Sequence, residues 1–177
     1  MTDTRYFKFD TYESSTEWGR SHWIDFDKTS APAMKSLLEC FVGKVIGEGS
    51  ERTVFASRYD PNVVIKIAKG YSTQNAVEAS TWDRFKGHPK VSKWIAPVLQ
   101  RSADCRVIVQ RRTSTLVKPP AKIPDFLGDL KVQNFGLLDG QVVAHDYGLG
   151  IYLDPGSTFT LIKPEWWDGQ TGDYYDR

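Results

Sequence analysis

The sequence predicts an α+β fold, because short stretches typical of β-strands are separated by turn residues and accompanied by one longer helical stretch. Residues 44–55 are interpreted as two strands joined by a glycine-containing turn, and residues 63–67 are a β-branched run with a single charge. Two further strands are expected in residues 94–101 and 106–112. The helical pattern covers residues 72–85.

The composition is that of an ordinary globular chain, with 177 residues, 40% hydrophobic residues and 25% charged residues. A formal net charge of +1 gives no field that would favour nucleic acid or a membrane as partner. Because there are only two cysteines, no secretory leader and no transmembrane run, we expect a cytoplasmic protein, in the host cytoplasm if the chain is viral. The three histidines lack the spacing of zinc ligands.

Residues 1–43 are expected to be an aromatic N-terminal extension, with a strand at residues 6–10 and a helix at residues 33–42 that Gly43 ends. The extension either packs its aromatic side chains on the main domain or serves as a partner-binding arm. Packing on the main domain is favoured, since the segment contains no specific binding motif.

The stretch from residue 128 to residue 148 carries the strongest chemical pattern. Asp129 and Asn134 stand five positions apart, and a hairpin with its turn at Asp139-Gly140 separates them from the Asp-Tyr-Gly that begins at Asp146. Carboxylate and amide oxygens are suitable ligands for Mg²⁺, which takes only a few ligands from protein. Asn134 and Asp146 are therefore candidate metal ligands, and Asp129 is a candidate acceptor for the proton of an attacking hydroxyl.

This pattern resembles the catalytic loop (Asp-Leu-Lys-x-x-Asn) and the metal-binding Asp-Phe-Gly of the protein-kinase superfamily. The resemblance covers about residues 44–165. It implies ATP and Mg²⁺ as cofactors and an antiparallel β N-lobe with one helix C at residues 44–112. It also implies a reduced C-lobe at residues 113–177, and it places Lys131 next to the transferred phosphate.

A glycine loop of the family has the form G-x-G-x-x-G-x-V, and Gly47, Gly49 and Val54 fit that form here. Glycines let a backbone approach phosphate oxygens closely. The third glycine of the pattern is replaced by Arg52, which we expect either to contact the phosphates or to point to solvent.

Lys66 lies in the β-branched run and corresponds to the phosphate-binding lysine of the family's third strand. Glu78, Trp82 and Phe85 share one helix face, and an acid among inward-facing aromatic residues needs a partner if it is buried. Lys66 is the obvious partner, and the alternative is that Glu78 is exposed to solvent. The resemblance also places Trp82, Tyr147 and Leu127 in the family's regulatory spine.

The resemblance implies that the catalytic residues are Asp129, Lys131, Lys66 and Glu78. It places nucleotide contacts in the glycine loop, the neighbouring strands and the segment that leads to the hinge, at Gly47, Gly49, Ser50, Val54, Val64, Lys66, Val109, Gln110 and Arg111. Residues 113–126 replace the two helices that usually precede the catalytic loop, and three prolines favour an extended connection there.

The function expected from this resemblance is transfer of phosphate from ATP to Ser or Thr of a protein. A first alternative is a catalytically inactive kinase-like module that binds a protein partner. A second is a small-molecule kinase, because Gly128-Asp129 also resembles the aminoglycoside and choline kinase branch. The usual His-Arg before Asp129 is missing, which argues against control by phosphate on the activation-like segment at residues 149–162. Thr158 and Thr160 are nevertheless candidate phosphosites in that segment.

Overall fold

The structure is a computed structural model that describes residues 6–8, 23–25, 39–148, 151 and 159–166. It divides into two compact units, one formed by Met1–Arg84 with Pro97–Arg112 and the other by Phe85–Ala96 with Thr113–Arg177. Antiparallel sheets and few helices in the described residues confirm the predicted α+β class.

The first unit contains a five-stranded antiparallel sheet in the order β3-β4-β5-β7-β6, together with a separate pair of strands, β1 and β2. Helix α1 follows β5 in the chain. The bounds are β1 Tyr6–Lys8, β2 Trp23–Asp25, β3 Val42–Glu48, β4 Arg52–Ser57, β5 Val63–Ala68, α1 Gln74–Phe85, β6 Val98–Arg101 and β7 Val107–Arg111.

The two faces of the five-stranded sheet differ in chemistry, because successive side chains of a strand point to opposite faces. One face carries an apolar cluster in which Ile65 and Val109 are buried with their neighbours. The other face carries Lys66 of β5 and Gln110 of β7. Polar chemistry is therefore concentrated on a single face.

The helix expected at residues 33–42 agrees with the structure in the part that is described, since residues 39–41 are helical and β3 begins at Val42. The role expected of Gly43 is wrong. Gly43 is a strand residue and does not end a helix. The position requires glycine, because a Cβ there would lie 2.9 Å from the carbonyl oxygen of Ala56 on the adjacent strand. The strand expected at residues 6–10 is present as Tyr6–Lys8, and the rest of it lies outside the described residues.

The second unit is built from short elements. A three-stranded sheet has the order β11-β10-β8, and β12 pairs with β9. The bounds are α2 Pro89–Ser92, β8 Ser114–Thr115, β9 Ile123–Pro124, a 3₁₀ turn Val132–Asn134, β10 Phe135–Leu138, β11 Gln141–Ala144 and β12 Leu161–Ile162.

Two expectations for the second unit are confirmed. Residues 113–126 contain no helix, as their prolines predict. Asp139 and Gly140 have φ values of 51° and 80°, which is the backbone of the tight hairpin turn that an Asp-Gly pair favours.

The strand predicted at residues 94–101 is shorter than expected. It begins only at Val98, because Pro89 starts the short helix α2 and Ile95 forms just an isolated bridge to Ala144. Thr158 and residues 167–177 of the C-terminal tail lie outside the described residues.

Gly136 provides a test of the three-stranded sheet. A Cβ at Gly136 would lie 2.6 Å from Cβ of Thr113 and 2.7 Å from the carbonyl oxygen of Ser114, whereas a Cβ at Gly87 would meet nothing within 4 Å. We expect Gly136→Ala to lower the free energy of unfolding by about 1–3 kcal/mol, as overpacking does. Urea titration should show no comparable loss for Gly87→Ala. Equal stability of the two variants would contradict the close packing of β8 on β10.

Candidate active site

Lys66 and Glu78 form a buried ion pair in the first unit. Lys66 Nζ lies 2.9 Å from Oε2 of Glu78, and the two side chains are 3% and 0% exposed. The contact occurs because β5 directs Lys66 to the polar face of the sheet, where α1 presents Glu78. The sequence-based expectation of this partnership agrees with the geometry, and the role of the pair in binding phosphate stays a prediction.

Arg52 also contacts Glu78, and the expectation of a solvent-facing side chain is wrong. Its side chain is 4% exposed, and Nη2 lies 2.5 Å from Oε1 of Glu78. Nη1 donates to Oδ1 of Asn75 at 3.2 Å. A buried guanidinium requires such partners, because an isolated charge in the protein interior is very costly.

Asn75 links the helix to the sheet, and sequence reasoning missed it. Its Nδ2 donates to the carbonyl oxygens of Lys66 at 3.1 Å and of Arg106 at 3.0 Å. Asn75 precedes Glu78 by three positions, so the helical repeat places both on one face. The period of two along β4 similarly places Arg52 on the face of Lys66, because Val54 lies opposite Lys66.

The glycine loop is a short turn that is held at both sides. The amide of Gly49 donates to the carbonyl oxygen of Arg52 at 3.0 Å. Lys69 Nζ donates to Oε1 of Glu48 at 2.9 Å and to the carbonyl oxygen of Gly49 at 2.8 Å. The hydrogen bond from Lys69 lowers the pKa of the Glu48 carboxyl below its ordinary value. Ser50 is exposed at the tip of the turn.

The other predicted nucleotide contacts divide between the two faces of the sheet. Val64 lies opposite Gln110 on the face of Lys66, and Gln110 Nε2 donates to Oε2 of Glu78 at 3.5 Å. Val109 instead belongs to the apolar cluster on the other face, and it lies in register between Ile65 and Gln100 of the flanking strands. The assignment of Val109 as a nucleotide contact depends on backbone groups of the segment that leads to the hinge, and it stays a prediction.

Arg111, the last residue of β7, is also held within the first unit. Its amide donates to the carbonyl oxygen of Pro97 at 2.9 Å, so the backbone of Arg111 is bonded to the segment that precedes β6. Its assignment as a nucleotide contact stays a prediction.

The second unit brings Asp129 and Asn134 together. Asn134 Nδ2 donates to Oδ2 of Asp129 at 2.8 Å and to its carbonyl oxygen at 3.2 Å. Asp129 adopts a φ of 36°, a left-handed conformation that aspartate tolerates better than most residues. The amide of Lys131 donates to the same carbonyl oxygen at 2.7 Å. The carboxylate of Asp129 is exposed but oriented by the amide of Asn134.

Asp146 is joined to Asn134 through the main chain. The amides of His145 and Asp146 donate to the carbonyl oxygen of Asn134 at 2.8 Å and 3.1 Å. Because Asn134 Nδ2 is directed to Asp129, its Oδ1 is oriented away from that carboxylate. The structure thus brings the two predicted metal ligands onto adjacent backbone segments.

The side chain of His145 makes hydrogen bonds that hold the segment of Asp146 in place, and the sequence analysis gave His145 no role. Its Nε2 lies 2.9 Å from the carbonyl oxygen of Gln133, which only accepts, so Nε2 carries the proton. Nδ1 lies 2.7 Å from the hydroxyl oxygen of Thr113 and shares a hydrogen bond with it. No local sequence pattern indicates this pairing, because Thr113 lies far from His145 in the chain.

The predicted spine residues are buried where the structure describes them in the second unit. Tyr147 and Leu127 are both buried, and the hydroxyl of Tyr147 donates to the carbonyl oxygen of Ala96 at 2.8 Å. Trp82 belongs to the first unit and is half-buried.

The described residues contain no group of three or more His, Cys, Asp or Glu side chains that could hold a metal ion. Asn134 and Asp146 offer a different set of donors, an amide and a carboxylate, whose hard oxygens could hold Mg²⁺ if water or phosphate supplied the remaining ligands. Among the described helices, none is long and apolar enough to cross a bilayer.

Comparison of the sequence with family models and with curated proteins gave no match.

Glu78 provides a test of the buried pair. Glu78→Gln removes the charge that faces Lys66 and Arg52, and breaking a buried pair costs about 3–5 kcal/mol of unfolding free energy. The matched control is Asp83→Asn, because Asp83 pairs with Arg101 at 2.8 Å on the surface of the same unit. Such an exposed pair contributes less than about 1 kcal/mol. Chemical denaturation of both variants should separate them, and similar losses would contradict burial of the Glu78 charge.

Proposed function

We propose that the chain is a Mg²⁺- and ATP-dependent phosphotransferase of the protein-kinase type, which transfers phosphate to a Ser or Thr hydroxyl of a protein. The observation that carries the proposal is the ion pair of Lys66 with Glu78, buried on the polar face of an antiparallel sheet. The kinase-like resemblance names the same two residues for a phosphate-binding lysine and its helix partner.

Energetics favour a functional reason for this pair. A buried ion pair rarely stabilises a fold more than apolar side chains of similar volume would, because removing charges from water is expensive. The first unit nevertheless buries Lys66, Arg52 and Glu78 together. A lysine ammonium fixed in this way is suited to binding phosphate oxygens as a point charge.

The second unit supplies side chains suited to the remaining roles. Asp129 would orient the acceptor hydroxyl and take its proton, since its carboxylate is exposed and held by Asn134. Lys131, half-buried in the same loop, would neutralise charge that develops on the transferred phosphoryl group. Asn134 and Asp146 would hold Mg²⁺, which when bound neutralises charge on the phosphates.

The arrangement of elements supports a kinase-like fold with a reduced C-lobe as part of the proposal. The first unit has an antiparallel sheet with one helix, α1, that carries Glu78 after the strand of Lys66. In the second unit, a connection without helices leads from Thr113 to the loop of Asp129. Catalysis would then consist of positioning and electrostatic stabilisation, without a covalent intermediate.

Transfer of labelled phosphate from ATP tests the function. We expect labelling of the chain itself or of a generic Ser/Thr substrate in the presence of Mg²⁺, and loss of labelling when EDTA removes the metal. Asp146→Asn should lower the rate about a hundredfold or more, because it removes one metal-binding carboxylate. Asp139→Asn is the matched control, since Asp139 lies in the hairpin turn and Asn tolerates its φ of 51° equally well.

The outcomes separate the alternatives. Labelling of small hydroxyl compounds but of no protein would favour a small-molecule kinase. Nucleotide binding without transfer to either substrate class would favour a non-catalytic module. Equal rates for Asp146→Asn and Asp139→Asn would contradict the role of Asp146.

A further inference from the structure

We infer that Arg52 is a positioning residue for the proposed nucleotide site: it holds Glu78 in place beside Lys66, so that the phosphate-binding lysine is set before nucleotide arrives. The inference rests on the proposed function, and it assigns a role to the residue that departs from the glycine-loop pattern. Arg52 takes the place of a glycine, and its side chain is directed inward to the ion pair.

The position of Arg52 is fixed on both of its terminal nitrogens. Nη2 binds Oε1 of Glu78, while Nη1 donates to Oδ1 of Asn75. The amide of Asn75 cannot turn without loss, because its Nδ2 already serves the carbonyl oxygens of Lys66 and Arg106. The planar guanidinium fork therefore joins β4 to α1, and Asn75 continues the link to the main chain of β5.

Each oxygen of the Glu78 carboxylate contacts a different cation. Oε1 faces Arg52 and Oε2 faces Lys66. Since the contact with Arg52 sets the plane of the carboxylate, Oε2 is presented to Lys66 independently of any ligand. Oε2 of Glu78 takes one of the three donors of the Lys66 ammonium.

Because Glu78 has two cations beside it, binding of an anion to one of them costs less electrostatic energy. When a phosphate draws on the ammonium of Lys66, Glu78 still has the guanidinium of Arg52 as a counter-charge. A carboxylate with Lys66 as its sole cation would compete with the phosphate for that lysine. Arg52 thus lowers the electrostatic cost of giving part of Lys66 to nucleotide.

The same residue couples the glycine loop to the helix. The carbonyl oxygen of Arg52 accepts from the amide of Gly49 across the turn, and the side chain of Arg52 reaches Glu78 of α1. On the outer side, Lys69 holds Glu48 and Gly49. Arg52 therefore connects the loop, through a main-chain hydrogen bond, with the helix, through its charged side chain.

Titration with a fluorescent ATP analogue and Mg²⁺ tests the inference on the full chain. We expect Arg52→Ala to weaken binding about tenfold or more, as loss of a supporting contact does at a positioned site. Added guanidinium, at concentrations far below those that denature, should restore part of the affinity by filling the space of the deleted group. Arg101→Ala is the matched control, because Arg101 pairs with Asp83 on the surface of the same unit.

The result that overturns the inference is native affinity in Arg52→Ala, which would leave the proposed function standing. If Arg52→Ala does not fold, Arg52→Lys replaces it. Lysine cannot hold Glu78 and Asn75 with one planar fork, so we expect Arg52→Lys to bind nucleotide more weakly than the native chain does. Native affinity in Arg52→Lys would also overturn the inference.

Hydrogen exchange separates this failure from failure of the proposed function. If the native chain binds no nucleotide, the proposed function is wrong and so is the nucleotide role of Arg52, and amide exchange of α1 then tests only whether Arg52 holds Glu78 and the helix in place. Faster exchange across Gln74–Phe85 in Arg52→Ala, reversed by guanidinium, would support it. Unchanged exchange would overturn it.

Discussion

The first unit depends on one constraint, which is that the carboxylate of Glu78 is fully buried and must be neutralised where it lies. Lys66 and Arg52 supply the two cations, and each takes a different oxygen. Asn75 completes the set by binding Arg52 and the main chain of β5 and of the turn before β7. Removal of any one of these groups would leave another buried charge or amide without a hydrogen-bond partner. These hydrogen bonds therefore fix the position of α1 on the sheet.

The second unit holds its candidate residues in a different way. Hydrogen bonds that mostly involve the main chain, and not buried charges, fix their positions. The carbonyl oxygen of Asn134 accepts two amides from the segment of Asp146, and the side chain of Asn134 orients Asp129. His145 fastens that segment to Gln133 and Thr113. Asp129 is exposed to solvent, which agrees with its proposed role of meeting a substrate hydroxyl.

Much of this could be predicted from local patterns, and the rest depends on contacts that no local pattern encodes. The Asp-Gly turn followed from turn chemistry. The partnership of Lys66 with Glu78 followed from the need of an inward-facing acid for a partner, together with the kinase-like resemblance. The burial of Arg52 could not be predicted in this way. Alternation along a strand shows which face of the sheet a side chain is on, but it does not show that a carboxylate lies opposite that face. Gly43 misled for a related reason, since a glycine required by a neighbouring strand looks the same in sequence as one that ends a helix. Val109 was assigned by analogy with a hinge, and its place in the apolar cluster depends on strand register.

The central proposal is that the chain binds ATP together with Mg²⁺, and that Lys66 and Asp146 both contribute to this binding. Calorimetric titration with ATP in the presence of Mg²⁺ tests this most directly. The proposal predicts one binding event per native chain, weakened by Lys66→Met and, separately, by Asp146→Asn. Absence of binding to the native chain, or binding that only one of these two substitutions weakens, would contradict it.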